Sequence, residues 1–204
     1  FLKSLGSGVM EDWVKRLSLT PSFDEQAAKT AYEGAAKDRA WADLLDFSFV
    51  IQTEPGWWTL HARMSESVRH SVAKRSDRLH TLHSAWLDSW TSRTKQADDR
   101  FAYLAWFHLW HIDENLALEV WNRTAEELRR RALTVRHYSM LGWWRPIFTE
   151  PMSPFTRAMI ENDLGVELRQ ASAGDRRENL SRALEYCNSV LRTYSEESTP
   201  LEWA

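Results

Sequence analysis

The feature that most constrains the fold is a change of hydrophobic period near Leu60. The runs Phe47–Ile51 and Trp57–Leu60 are rich in aromatic and β-branched residues, which favour strands. Pro55-Gly56 lies between them and is a strong turn signal, so the stretch predicts a β-hairpin. After the hairpin the apolar residues recur every four positions, which predicts one buried stripe along a helix. The members of that stripe are Leu60, Met64, Val68 and Val72.

Helices are also predicted on the N-terminal side of the hairpin. Val9–Leu19 has an amphipathic pattern, Asp24 is placed to cap a second helix, and Trp41–Phe47 is a short third one. A helix, a two-stranded wing and a following helix together indicate a winged-helix unit. We predict this unit within residues 1–75, and its hairpin is the only β-structure that the sequence predicts.

The remainder of the chain has the pattern of helices alone. Phe101–Trp110 is apolar almost all round, as expected of a helix buried on several sides. Ser153-Pro154 and Asp175 are helix-start signals. The last helix carries apolar residues in 4-3-4-3 spacing, and we expect Leu184 and Leu191 among them to be buried. The full set is Leu180, Leu184, Cys187, Leu191 and Tyr194.

These patterns predict a mainly α protein in three parts. A winged-helix domain with its preceding helices occupies residues 1–75, a helical bundle occupies 76–145, and a helical solenoid starts within 146–204. The chain opens at Phe1 without Met, so we expect it to be a fragment of a longer protein.

Composition and motifs narrow the function classes. The formal net charge is −3, which argues against a protein built to coat nucleic acid. Cys187 is the only cysteine, so no internal disulfide forms, and no apolar run reaches the length of a membrane span. We expect a cytoplasmic location and no membrane partner. The sequence has no phosphate-binding loop, so we expect no catalytic residue and no nucleotide hydrolysis by this chain alone.

Two histidine pairs are candidates for a metal site. His80-x-x-His83 and His108-x-x-His111 each place two imidazoles on one helical face. If the two helices were neighbours, four imidazoles could converge on one ion, as in a metalloenzyme or metal sensor. The alternative is that these side chains form hydrogen bonds locally at the edge of the core. Zinc needs convergent geometry that spacing alone does not show, so we favour the alternative and predict no metal ligand.

The helix that follows the hairpin carries a basic face, which suggests a second function. A basic helix in a winged-helix unit could lie in the DNA major groove, as in a transcription regulator with a helical effector domain. The competing interpretation is a solvated surface, because Glu66 lies in the middle of this face and the net charge is negative. The basic residues are Arg63, Arg69, His70, Lys74 and Arg75.

Tryptophan pairs offer a third kind of candidate surface. Trp57-Trp58 and Trp143-Trp144 could line a ligand pocket or face a partner domain. Tryptophan at helical spacing is more often part of the core, so burial is the competing expectation.

Several stretches in order resemble one family. These are Phe23-Asp24, then Leu44-Leu45-x-Phe47-Ser48-Phe49-Val50, then the wing and Trp58-Thr59-Leu60-His61. They are similar to the winged-helix domain of STAND nucleotide-binding proteins, the NB-ARC or NLR-like group. Asp77–His83 and Leu104–Trp110 resemble the helical linker of bacterial members, and Arg182–Ala204 resembles the start of a tetratricopeptide array.

The resemblance implies a role for His61. In the family a Met-His-Asp motif opens the helix after the wing, and its histidine contacts the β-phosphate of ADP in the resting state. Here the motif reads Leu60-His61-Ala62, so the histidine is kept while Met and Asp are replaced. His61 is therefore the one expected cofactor-binding residue, with ADP or ATP held only by the full-length protein. The implied partners are an adjacent ATPase core, sensor repeats of the same chain and a homo-oligomer on activation.

Overall fold

The structure is a computed structural model that describes residues 8–73, 76–94, 98–148 and 152–193. It is mainly α with one small antiparallel hairpin, which confirms the predicted fold class. The helices are α1 (Gly8–Leu17), α2 (Glu25–Ala31), α3 (Lys37–Leu45), α4 (Ala62–Ala73), α5 (Ser76–Thr91), α6 (Asp99–Trp110), α7 (Glu114–Arg130), α8 (Thr134–Leu141), α9 (Trp144–Ile147), α10 (Pro154–Gln170) and α11 (Arg176–Thr193). The strands are β1 (Val50–Glu54) and β2 (Trp57–Leu60).

Contacts between residues group the chain into two compact units, Phe1–Leu118 and Glu119–Ala204. The three-part division at residues 75 and 145 stays a prediction. None of the helices in the described ranges combines the length and the apolar character that crossing a bilayer requires.

The hairpin gains a third extended segment that the sequence did not predict. Val50 pairs with Leu60 at the open end of the hairpin, and the register shifts between Gln52 and Glu54. Phe23 also pairs with Trp58, through two backbone hydrogen bonds of 2.9 Å. The order along the chain is therefore helix, extended segment, two helices and hairpin, and the extended segment pairs with the hairpin.

The core of the first unit is aromatic. Trp13 and Phe23 are fully buried, and the Trp13 indole donates to the carbonyl of Ala28 at 2.8 Å. Asp24 caps α2 by accepting the N–H of Ala27 at 2.8 Å, as predicted. This carboxylate also pairs with Arg93, whose guanidinium lies 4.2 Å from the centre of an aromatic ring in α6. Asp24 thus connects a helix start to α5 and α6, a role that its position in the sequence does not reveal.

The predicted stripe after the hairpin is confirmed over its described members. Leu60 and Val68 are buried, and Met64 packs against both clusters of the core. Val72 carries no described side chain. The switch of period at Leu60 therefore marks the true end of the hairpin and the first turn of α4.

Within the described residues, all regular elements of the second unit are helices. Ser153 caps α10 through Thr156, and Asp175 caps α11 through the N–H of Glu178, so both predicted starts are confirmed. The packing face of α11 is different from the predicted one. Leu180, Leu184 and Leu191 are 42%, 62% and 55% exposed, so the expectation that Leu184 and Leu191 are buried is wrong. Tyr194 lies outside the described residues.

The residues of α11 that are buried lie one position before the leucines. Ala183 is buried against α10, and Asn179 is fully buried. The Asn179 side chain accepts from the Tyr138 hydroxyl at 3.0 Å and donates to the carbonyl of Ala173 at 2.8 Å. A polar residue is stable in this position because its donor and acceptor are both satisfied. The helix is therefore rotated away from the face that hydrophobicity predicts.

Candidate functional site

His61 lies between β2 and α4, in the position that the sequence predicts. Its backbone N–H donates to the carbonyl of Phe49 at 2.7 Å, which extends the hairpin pairing by one residue. Its carbonyl accepts the N–H of Met64 at 2.8 Å, which is the first turn of α4. The backbone of His61 therefore belongs to both elements, and this fixes the direction in which its side chain leaves the chain.

The imidazole of His61 is exposed and acts as a helix cap. Its Nδ1 accepts the N–H of Arg63 at 3.3 Å. Because Nδ1 is the acceptor, the neutral ring carries its proton on Nε2. The capping bond therefore fixes the tautomer, and Nε2–H is a donor at the exposed N-terminus of a helix. Such a donor suits an anion, since helix N-termini favour negative charge.

The basic face of α4 is only partly available to a ligand. Arg63 is exposed, whereas the Arg69 guanidinium is half-buried and its Nε donates to the carbonyl of Ser18 at 2.9 Å. Arg69 therefore holds α4 against the end of α1. The side chain of His70 and the residues Lys74 and Arg75 lie outside the described parts of the structure. Of the two described arginines on this face, only Arg63 extends into solvent. A DNA-binding surface on α4 would therefore have one available basic side chain among the described residues.

Three of the four paired histidines come together between α5 and α6. His83 and His108 are buried, and their Nδ1 atoms are 2.9 Å apart. The ring of His111 stacks on that of His83 with centroids 4.4 Å apart and planes within 5°. His80 is exposed and does not join them. The two His-x-x-His motifs are therefore in contact. The sequence offered this contact only as a condition, namely that the two helices were neighbours.

The geometry of this cluster is that of a hydrogen bond rather than of a metal site. One Nδ1 must carry the proton that the other accepts, so the two buried rings hold opposite tautomers. The stacked rings of His83 and His111 direct their lone pairs into parallel planes, which cannot converge on one ion. Among the described residues, no group of three or more His, Cys, Asp or Glu is arranged to hold a metal. The cluster is therefore a buried hydrogen-bonded pair with a third ring stacked on it.

Burial controls the charge of this cluster. It lowers the pKa of His83 to about 3, with smaller contributions from His111, Arg69 and His80. Burial likewise holds the pKa of His108 well below its ordinary value, with His83 and His111 acting in the same direction. Nε2 of His108 is buried and has no hydrogen-bond partner among the described residues. The pair is therefore neutral near pH 7 and is poorly suited to accept a proton.

The paired tryptophans belong to the packing of their own units. Trp57 and Trp144 are buried, and Trp58 and Trp143 are half-buried. Arg100 lies 4.3 Å from the Trp57 ring centre. This finding supports the core interpretation over a ligand pocket lined by the tryptophan pairs.

A buried carboxylate in the second unit is neutralised by its neighbours. Glu167 pairs with Arg129 at 3.0 Å, and its other oxygen lies 3.4 Å from Nε2 of His137. Burial lowers the pKa of His137, although the Glu167 carboxylate acts in the opposite direction. The arrangement is an ion pair within the helical packing, and the sequence pattern gave no sign of it.

No protein-family model, no curated protein and no solved structure matches the chain. Only the residues and their contacts therefore bear on the function of the chain.

Proposed function

We propose that this chain is a non-catalytic regulatory region of a STAND-type nucleotide switch. In this proposal His61 contacts the β-phosphate of ADP bound to an adjacent ATPase core, and the helices relay the state of a sensor to that core. The observation that supports it is the exposed Nε2–H of His61, held in one tautomer by its bond to Arg63 at the start of α4.

The contact would favour only the resting state. A charge-assisted hydrogen bond between an imidazole and a phosphate oxygen contributes roughly 1.5–3 kcal/mol. That energy corresponds to a factor of about 10 to 150 in the equilibrium between closed, ADP-bound and open forms. The ATPase core, sensor repeats and, on activation, further copies of the protein are the proposed partners, in the cytoplasm. Nucleic acid and membranes are not proposed as partners.

Ala62 follows His61 where the family has aspartate, so the usual support of the histidine is replaced. The N–H of Arg63 takes over part of that support, since it orients the ring through Nδ1. The proposal therefore does not need an acidic residue beside His61.

The test separates the capping role from the phosphate contact. His61→Asp keeps a good helix cap but turns a negative charge toward the phosphate, whereas His61→Ala loses both functions. Both variants should release ADP roughly 10- to 150-fold faster from the polypeptide that joins this chain to its ATPase core. Ser67→Ala, an exposed change nearly two turns farther along α4, is the matched control.

The release rate is read with a fluorescent ADP analogue, and helical content is read by circular dichroism. His61→Asp with normal helical content and unchanged ADP release would show that His61 only caps α4. A natural reading frame without a phosphate-binding loop upstream of Phe1, and no separate partner that supplies one, would also contradict the proposal.

A further inference from the structure

The exposed leucines of α11 form a surface that the fold of the second unit does not use. We call this surface the outer stripe, and its members are Leu180, Leu184, Cys187 and Leu191. They recur with 4-3-4 spacing, which places all four on one side of the helix. The spacing is that of a coiled-coil seam, yet no described element covers these side chains.

Helix α10 extends the apolar surface. It packs against α11, and the Cβ position of Gly165 would lie 3.5 Å from the Cys187 sulfur, so the outer stripe borders the contact between the two helices. Met159 and Val166 are each 38% exposed on α10. Met159 and Val166 lie about a quarter of a turn around α10 from Gly165, and the outer stripe lies about a quarter of a turn around α11 from Ala183. The rotation has the same sense on both helices, which places the two sets on the same side of an antiparallel pair.

We propose that the outer stripe, with Met159 and Val166, is the interface for a second copy of this chain. Two α10–α11 hairpins would pack face to face about a two-fold axis into a four-helix arrangement. The proposal is independent of the nucleotide switch proposed above, because it concerns only the second unit.

The spacing of the outer stripe favours an identical partner. A 4-3-4 pattern reads the same from either end, so two antiparallel copies of α11 match at every position. Leu180 of one copy lies opposite Leu191 of the other, and Leu184 lies opposite Cys187. This self-complementarity is what an isologous two-fold interface requires.

Charge and area support the same partner. On α11, the side chains that flank the stripe between its ends are uncharged, so two copies of this helix approach without like-charge repulsion. These flanking residues are Ser181, Ala183, Asn188 and Val190. The six exposed apolar side chains cover several hundred Å², near the upper limit that monomers leave exposed. Two such surfaces together approach roughly 1,200 Å², where specific interfaces begin.

The test measures the mass of the whole chain in solution. We expect the chain to dimerise at micromolar concentration in sedimentation velocity, and Leu184→Glu to weaken the dimer at least about tenfold. Val135→Glu is the matched control, because Val135 is 70% exposed in the same unit but lies outside the outer stripe. Leu191→Lys is a second variant in case Leu184→Glu lowers helical content.

Cys187 supplies an independent readout, since it is the only cysteine in the chain. Because Cys187 would lie in the interface opposite Leu184 of the other copy, dimerisation should slow its alkylation by N-ethylmaleimide, and Leu184→Glu should restore the rate while Val135→Glu should not. A monomeric wild-type chain would mean that another protein or a further helix covers the stripe, and would overturn the proposal. So would a dimer that survives both stripe variants with normal helical content.

Discussion

We expect the buried His83–His108 pair to make the stability of the first unit fall as the pH drops below about 6.5. His83 has an ordinary pKa near 6.5 in the unfolded chain and a pKa of about 3 in the folded one. Between these values the unfolded state binds more protons than the folded state, so acid favours unfolding. The stability is fully present above about pH 6.5 and is lost progressively down to about pH 3.

The size of the stability loss follows from the size of the pKa shift of His83. Each pH unit below 6.5 removes about 1.4 kcal/mol through His83, or about 2 kcal/mol by pH 5. His108 adds a further loss of the same sign, because its pKa is also held well below the ordinary value. Total stabilities of small domains are only about 5–15 kcal/mol, so this effect is large.

Urea unfolding at a series of pH values, followed by tryptophan fluorescence, measures the effect. The double substitution His83→Leu with His108→Leu removes both partners at similar size, which leaves no buried group unpaired. Between pH 6.5 and pH 5, the free energy of unfolding should fall in the wild type by at least about 2 kcal/mol more than it falls in this variant. His80→Gln is the control, since His80 is exposed on the same helix. Equal pH dependence in the double variant and the wild type would refute the reasoning.

Two further predictions concern packing. Asp24→Ala removes a helix cap and the partner of the mostly buried Arg93, so it should cost roughly 3–5 kcal/mol in urea unfolding, whereas Asp43→Ala on an exposed position should cost little. Leu164→Ala should cost roughly 2–5 kcal/mol because Leu164 is 1% exposed, and Leu184→Ala should change the stability of the monomer by less than about 0.5 kcal/mol. Similar costs for Leu164→Ala and Leu184→Ala in monomer would contradict the observed rotation of α11.

Local signals in the sequence were sufficient where the structure depends on neighbouring residues. Asp24, Ser153 and Asp175 cap their helices, and the turn at Pro55-Gly56 joins the two strands as expected. Caps and turns depend on residues three or four positions apart, so they can be read directly from the chain.

Features that depend on distant residues could not be read in the same way. The pairing of Phe23 with Trp58 joins residues far apart, and the segment around Phe23 has no alternation that would mark a strand. The spacing of the histidines suggested that His83 and His108 could meet, but only the packing of α5 on α6 shows that they share a proton. Exposure of His61 is consistent with its predicted place beside the wing, although its bond to Arg63 was not anticipated.

The packing of α11 explains why its hydrophobic pattern predicted the wrong buried face. Ala183 is buried at the contact with α10, where its carbonyl oxygen lies 3.5 Å from the Cβ position of Gly165. A leucine there would need space that the close approach removes. Asn179 completes the buried face because Tyr138 and the carbonyl of Ala173 satisfy its amide. Small residues and satisfied polar residues thus take the inside positions, and the regularly spaced leucines stay exposed.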